Sequence, residues 1–285
     1  MRSPSARFEQ ILGVRFFDGP VGAAVAHLQR VRGYVVVPAA PAFMKLRYDE
    51  EFRIALTAAD MAIADSGLMV LLWRLLRSQK LARISGLAYL KHLMSLAGVR
   101  KPRATFWVLP SKAARDKASG WLRANGIEVP EQNFYVAPRY ECAEMRNAEC
   151  GMRNTEDGGQ ETDVRDQRSR IRDEGLLALL ESARPEQIII AIGGGPQEKL
   201  GRYLKMHCTF RPAIHCVGAA LGFLTGDQIA IPDWADRLYL GWLLRLFAQP
   251  RIFIPRLASA WRLPWLIARY GAEMPPLTQK RKLKS

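Results

Sequence analysis

Ile188-Ile189-Ile190-Ala191-Ile192-Gly193-Gly194-Gly195-Pro196-Gln197-Glu198-Lys199 changes character in its middle. Its first five residues are apolar without alternation, the pattern of a parallel strand covered on both faces. Three glycines break the run. Pro196 suits the first position of a helix, where its missing N–H would go unpaired anyway, and residues 197–206 continue in helix-permitting side chains. The order strand, tight turn, helix predicts an α/β fold with a mostly parallel, Rossmann-like sheet flanked by helices. At such a turn the N–H groups of the helix start carry partial positive charge, and glycine lets an anion such as a nucleotide diphosphate approach the backbone. The same turn also serves simply to pack a strand on a helix. Neither Gly-x-Gly-x-x-Gly nor Gly-x4-Gly-Lys-Ser/Thr is matched here, so the stretch is neither the dinucleotide fingerprint nor a P-loop.

The rest of the chain repeats this alternation. Strands are expected at 11–17, 34–37, 59–64, 105–109, 133–138 and 213–217, and helices at 21–31, 50–58, 68–76, 87–97, 111–123 and 175–183. Asp65 follows the third strand. In open α/β sheets ligands bind beyond the carboxyl ends of the strands, so a carboxylate there can act as general base toward a substrate hydroxyl, or it can cap the helix that Ser66-Gly67 begins. Arg83 precedes a helix with Ser85 as its expected N-cap, and its planar fork of donors suits a phosphate as well as water. Gly218-Ala219-Ala220-Leu221-Gly222 closes a second strand–turn–helix unit with small residues that allow close approach. His207-Cys208 and His215-Cys216 do not have the spacing of a structural zinc site, and no metal is expected.

Composition bounds the partners. The 285 residues are 49% hydrophobic and 24% charged, as in folded proteins, yet the formal net charge is +15, which calls for an anionic partner. The four cysteines lack Cys-x-x-Cys spacing and suit a reducing compartment. No apolar run reaches the roughly 18 residues that cross a bilayer, and the start of the chain does not resemble a signal peptide. Residues 140–172 are densely charged and polar and read as a loop insertion on the sheet's ligand edge.

From Trp234 onward the texture changes. Trp234, Leu238, Trp242 and Leu246 form one helical stripe, and ten Lys/Arg against Asp236 and Glu273 place +8 of the net charge in the final fifth of the chain. Arginine- and tryptophan-rich amphipathic helices suit an anionic membrane surface, although a core-packing tail with a solvated face has a similar pattern. Nucleic acid is not the expected partner, since no recognition motif accompanies the charge. Two regions are therefore expected: an α/β core over 1–232 carrying the 140–172 insertion, and a basic, helical, membrane-associating appendage and tail over 233–285.

The order of pieces resembles the bacterial WecG/TagA/CpsF glycosyltransferases, glycosyltransferase family 26, over about residues 11–257. The residues that carry the likeness are Ile11-Leu12-Gly13-Val14, Asp49-Glu50-Glu51-Phe52-Arg53, Ala59-Asp60 through Asp65-Ser66-Gly67, Arg83-Ile84-Ser85-Gly86, Gly193-Gly194-Gly195-Pro196-Gln197-Glu198, Val217-Gly218-Ala219, Phe223-Leu224-Thr225-Gly226 and Pro232-Asp233-Trp234 through Leu246. The resemblance implies inverting transfer of a sugar, usually from a UDP-sugar, to a polyprenyl-diphosphate-linked saccharide. The reaction would serve surface polysaccharide assembly at the inner face of the cytoplasmic membrane, with no essential metal and no cofactor. It places the general base on Asp65 and the nucleotide-sugar site on Gly193, Gly194, Gly195, Pro196, Gln197 and Glu198 with Gly218 and Ala219. Contacts to the diphosphate and acceptor fall on Arg83, Arg237, Arg245, Arg251 and Arg256. Relatives associate through the core, which leaves room for a homo-oligomer. Two positions depart from the family pattern: Val37-Pro38-Ala39 replaces a Thr-x-Asn, and one residue is missing between Pro196 and Gln197. A non-catalytic membrane-surface protein that binds lipid-linked saccharide or partner enzymes is the alternative. A dinucleotide oxidoreductase would rest on fold analogy alone.

Overall fold

The computed structural model describes residues 6–140, 171–226 and 260–278, together with the single positions 243, 247, 251, 254, 255 and 258. Among these residues the chain forms one eight-stranded sheet and ten α-helices. The strands are β1 (Arg7–Ile11), β2 (Val14–Asp18), β3 (Tyr34–Val36), β4 (Met61–Ala62), β5 (Thr105–Leu109), β6 (Phe134–Val136), β7 (Gln187–Ile190) and β8 (Ala213–Cys216). Their order across the sheet is β1-β2-β4-β3-β8-β7-β5-β6. Every pairing is parallel except that of β1 with β2.

Alternation along each strand sorts the core into two layers. Tyr34, Val36, Phe106, Val108, Ile188, Ile190 and Ile214 point to one face. That face is covered by α3 (Glu50–Thr57), α4 (Gly67–Arg77), α7 (Glu174–Ala183), α8 (Pro196–His207) and α10 (Leu263–Tyr270). Val35, Met61, Ile63, Trp107, Leu109 and Ile189 point to the other, under α1 (Val21–Val31), α5 (Gly86–Ser95), α6 (Lys112–Ala124) and α9 (Ala220–Leu224). The short α2 (Ala42–Lys45) follows β3. Strands covered on both faces explain why their sequences are unalternated.

The expected first strand at 11–17 is instead a hairpin. Leu12 and Gly13 have φ of +50° and +80° and reverse the chain between β1 and β2. A buried leucine adopts this conformation because its N–H and that of Gly13 donate to the carbonyls of Gly271 and Ala272, each at 2.8 Å. The segment that follows α10 is thus bound to the hairpin, and further on Arg53 donates to the Pro275 carbonyl at 2.5 Å. Ala260, Leu263, Leu266 and Ile267 are buried in the same core as β2 and α4. Residues 260–278 are therefore packed on the α/β body. No helix among the described residues is long and apolar enough to cross a membrane. The expected stripe at 234–246 and nearly all of the 140–172 insertion lie outside the described residues.

Candidate active site

Because seven neighbouring strands run the same way, the ends of β2, β4, β3, β8 and β7 share one edge of the sheet. Asp65 lies just beyond β4 and the glycine turn just beyond β7, with β3 and β8 between them. At about 4.8 Å per strand the two are about 14 Å apart along the edge.

Asp65 does not cap α4. That role belongs to Ser66, whose Oγ accepts the Met69 N–H at 3.3 Å. The Asp65 carboxylate reaches across to α5 instead, where Oδ1 accepts the Gly86 N–H at 2.9 Å. Among the described residues no donor reaches Oδ2, and the residue is partly exposed. Arg83 Nε donates to the Asp65 carbonyl at 3.0 Å, and the Ile84 N–H donates to the Ala64 carbonyl at 3.2 Å. The 82–85 segment is thereby held along the end of β4. Ser85 caps α5 as expected, accepting the Ala88 N–H at 3.1 Å.

Gly86 links Asp65 to the β8 end. A side chain there would come within 3.3 Å of Ala220, 3.5 Å of Val37 and 3.8 Å of the Val217 carbonyl. Val37, which stands where the family pattern has threonine, is thus the apolar neighbour of the Asp65–Gly86 contact. Gly218 continues the floor. It has φ +55°, and the Gln197 amide packs close against its Cα. Ala219 follows it at the start of α9.

The glycine turn starts α8 as the sequence predicts. Gly193 and Gly195 have φ of +98° and +101°. Among the described residues nothing lies within 4 Å of where side chains on Gly193 or Gly194 would be. Two of the helix-start N–H groups are nonetheless satisfied internally. Gly195 donates to Glu198 Oε2 at 2.6 Å and Gln197 to the Gly193 carbonyl at 3.3 Å. Glu198 is buried, and its Oε1 accepts from Gln197 Nε2 at 3.0 Å. Burial raises its pKa above the ordinary carboxylate range, partly offset by these hydrogen bonds. Gln197 Oε1 is buried with no hydrogen-bond partner among the described residues. Gly201 lets α8 close onto β8, since a side chain there would strike the Cys216 sulfur.

One contact that sequence reasoning missed ties these pieces together. Lys199 is buried, with Nζ 3.0 Å from Asp49 Oδ2 and 3.3 Å from Glu51 Oε2 at the start of α3. Asp49 also caps α3 through Phe52 N–H at 2.9 Å. The signal was available in the sequence: an acidic helix start and a lysine directly after Gln197-Glu198. His215 is enclosed between Tyr89 and Gln187, and no three His, Cys, Asp or Glu side chains among the described residues cluster as a metal site.

A model of the glycosyl transferase WecG/TagA/CpsF family matches residues 9–275. The chain belongs to this family. Comparison with curated proteins gives no match. The family match runs through α10 and the segment bound to the hairpin, so in this WecG/TagA/CpsF chain the family unit extends beyond the 257 expected from the sequence and includes the packed residues 260–275. A glycosyltransferase role follows from the membership. Of the expected arginines, Arg83 stands beside Asp65 and Arg251 is exposed, while Arg237, Arg245 and Arg256 lie outside the described residues.

Proposed function

We propose that the chain is an inverting glycosyltransferase that moves a sugar from a UDP-sugar to a polyprenyl-diphosphate-linked saccharide at the inner face of the cytoplasmic membrane, for surface polysaccharide assembly. The observation that carries this reading is the shared edge: a partly exposed carboxylate beyond β4 and the glycine turn beyond β7 lie at the same ends of neighbouring parallel strands. In the proposed reaction the donor's nucleotide diphosphate lies at Gly193–Gly195 and the start of α8, with Gly218 and Ala219 beneath it. Pro196, Gln197 and Glu198 shape the wall of this pocket. Asp65 takes the proton from the acceptor hydroxyl as that oxygen attacks the anomeric carbon from the side opposite the diphosphate. The new glycosidic bond forms as the bond to the UDP oxygen breaks. Helix-start N–H groups, rather than an essential metal, stabilise the departing charge, while Arg83 beside Asp65 serves the acceptor and Arg237, Arg245, Arg251 and Arg256 are assigned to the lipid diphosphate.

Association with an anionic membrane surface is supported by the described C-terminal residues. Trp261 is 68% and Trp265 51% exposed, and α10 packs on α4, where Leu75 is 77% exposed. The Arg262 guanidinium lies 4.9 Å from the Trp261 ring centre. Exposed tryptophan beside arginine suits the headgroup level.

The test is release of UDP by purified protein from UDP-glucose, UDP-N-acetylmannosamine and UDP-galactose, with and without prenyl-diphosphate saccharides. Transfer should require the acceptor, and Asp65→Asn should lower turnover by about 10²–10⁴-fold with folding intact. Full turnover in Asp65→Asn would remove the assigned base. The apolar Val37 beside the Asp65–Gly86 contact favours a second reading, a non-catalytic binder of lipid-linked saccharide. Calorimetry separates the two, since the second predicts no UDP-sugar binding at millimolar donor.

A further inference from the structure

A cavity of about 440 Å³ opens on the far side of Asp65 from the glycine turn. Its floor is the 82–85 segment, which hangs between two strand ends: the Ala82 N–H donates to Asp18 Oδ1 at 2.9 Å at the end of β2, and the Ile84 N–H to the carbonyl of Ala64 beyond β4. Gly19, Pro20 and Val21 at the start of α1 form one wall and Ala88 of α5 the other. The volume lies within the roughly 300–1,000 Å³ of small-molecule pockets.

The lining is chemically mixed. Pro20, Val21, Ile84 and Ala88 present C–H surface, while Arg83 and Ser85 supply polar groups. Ser85 Oγ already accepts the Ala88 N–H, so its hydroxyl hydrogen is the part it can offer. At the start of α1, Ala23 and Ala24 donate to the Pro20 carbonyl, which leaves the N–H groups of Val21 and Gly22 as the first-turn donors without intrahelical acceptors. Among the described residues no carboxylate lines the cavity. The nearby Asp18 is engaged by Ala82 through one oxygen and by Arg7 at 3.3 Å through the other. Among the described residues, one cation beside four apolar side chains suits a neutral ring with an apolar face and a hydroxyl edge better than it suits two phosphates.

Inversion supplies the direction. With the leaving diphosphate at the β7 end, the attacking hydroxyl must approach from the opposite side of the anomeric carbon, and β2 is one strand beyond Asp65 on that side, about 5 Å along the edge. We propose that this cavity is the subsite for the terminal sugar of the acceptor, with Ala88 and Val21 setting which ring fits. The assignment rests on the transferase reading of the same edge.

The experiment is calorimetric titration of the full chain and of Ala88→Leu. The probes are farnesyl-diphosphate-linked N-acetylglucosamine, glucose and galactose in mixed micelles, with farnesyl diphosphate and UDP-sugar as controls. Ala88 is exposed on a helix, and leucine there is a good helix former. Ala88→Leu should weaken the best saccharide probe tenfold or more and leave farnesyl diphosphate and UDP-sugar within twofold. Equal saccharide affinity in the two proteins overturns the assignment, as does a matching loss for farnesyl diphosphate or for UDP-sugar. So does absence of saccharide binding by the unaltered chain. The readout is binding rather than turnover, so it separates from the Asp65→Asn test: loss of transfer without loss of the Ala88 effect would fault the chemistry and leave the subsite standing.

Discussion

The buried histidine of β8 makes a pH-dependent prediction with a sign and a size. His215 is fully buried, with Nδ1 3.0 Å from the Tyr89 hydroxyl and Nε2 2.9 Å from Gln187 Oε1. Gln187 Oε1 also accepts from Gln29 Nε2 at 2.7 Å, and Gln187 Nε2 donates to Gln29 Oε1 at 2.9 Å. These partners assign the neutral ring with its proton on Nε2 and Tyr89 donating to Nδ1. Burial pushes the pKa down to about 3 from 6.5. An unfolded chain therefore takes up this proton near pH 6.5, while the folded chain refuses it until about pH 3. The stabilisation is complete above 6.5 and is lost as pH falls through that window. The first pH unit below 6.5 costs about 1 kcal/mol and each further one about 1.4, so the step from 6.5 to 4.5 removes about 2 kcal/mol. His215→Gln should lose about 2 kcal/mol at pH 7 from disturbed packing and hydrogen bonds. It should nonetheless be as stable as the parent at pH 4.5, because it lacks the titrating ring. Urea unfolding followed by fluorescence at both pH values measures this. Two parallel stability curves, with a gap that does not change with pH, would refute the account.

Lys199→Met should destabilise the chain by about 2–4 kcal/mol, because it strands two carboxylates that are about four-fifths buried. The melting temperature should fall by several degrees, and adding Asp49→Asn and Glu51→Gln should restore part of the loss; additive losses would deny the coupling. At the membrane, replacing Trp261 and Trp265 by alanine removes at most about 240 Å² of exposed aromatic surface, hence up to about 6 kcal/mol, or about 3 kcal/mol if half the surface is inserted. Sedimentation with anionic liposomes should then weaken about 100-fold, and unchanged sedimentation would assign these rings another role. Point variants are the cleaner probe, since removing 234–285 would strip Leu263, Leu266 and Ile267 from the core.

What the sequence made legible follows from how local each feature is. The unalternated run before Gly193 and the cap at Ser85 depend on neighbours in sequence, and they appear where expected. The hairpin at Leu12-Gly13 does not, because its unusual backbone is held by carbonyls some 260 residues away. Asp65 was recognisable as a carboxylate at a strand end. Its partner was not: the Gly86 N–H reaches it only because the 82–85 segment is strung along β4 by Ala64 and Asp18. Helix-start donors at 195–198 were expected to be free, and the glutamate three residues into α8 turns back to satisfy one of them.

The family's separated fragments also acquire a single physical reason. Asp49 and Glu51 hold Lys199; Lys199 fixes the first turn of α8; and Gln197 in that turn packs on Gly218 at the end of β8. From Val217 the contacts pass to Gly86 and thence to Asp65. Each of these sequence fragments is therefore a support for the same edge, even where it is far from the others along the chain. On the proposed reading, the strand order ranks the ligands: β7 and β8 under the nucleotide, β4 under the base, β2 under the acceptor. A substitution at Lys199 should accordingly weaken UDP-sugar binding as well as stability, whereas one at Ala88 should touch neither, because the supports of the nucleotide end stop at Asp65.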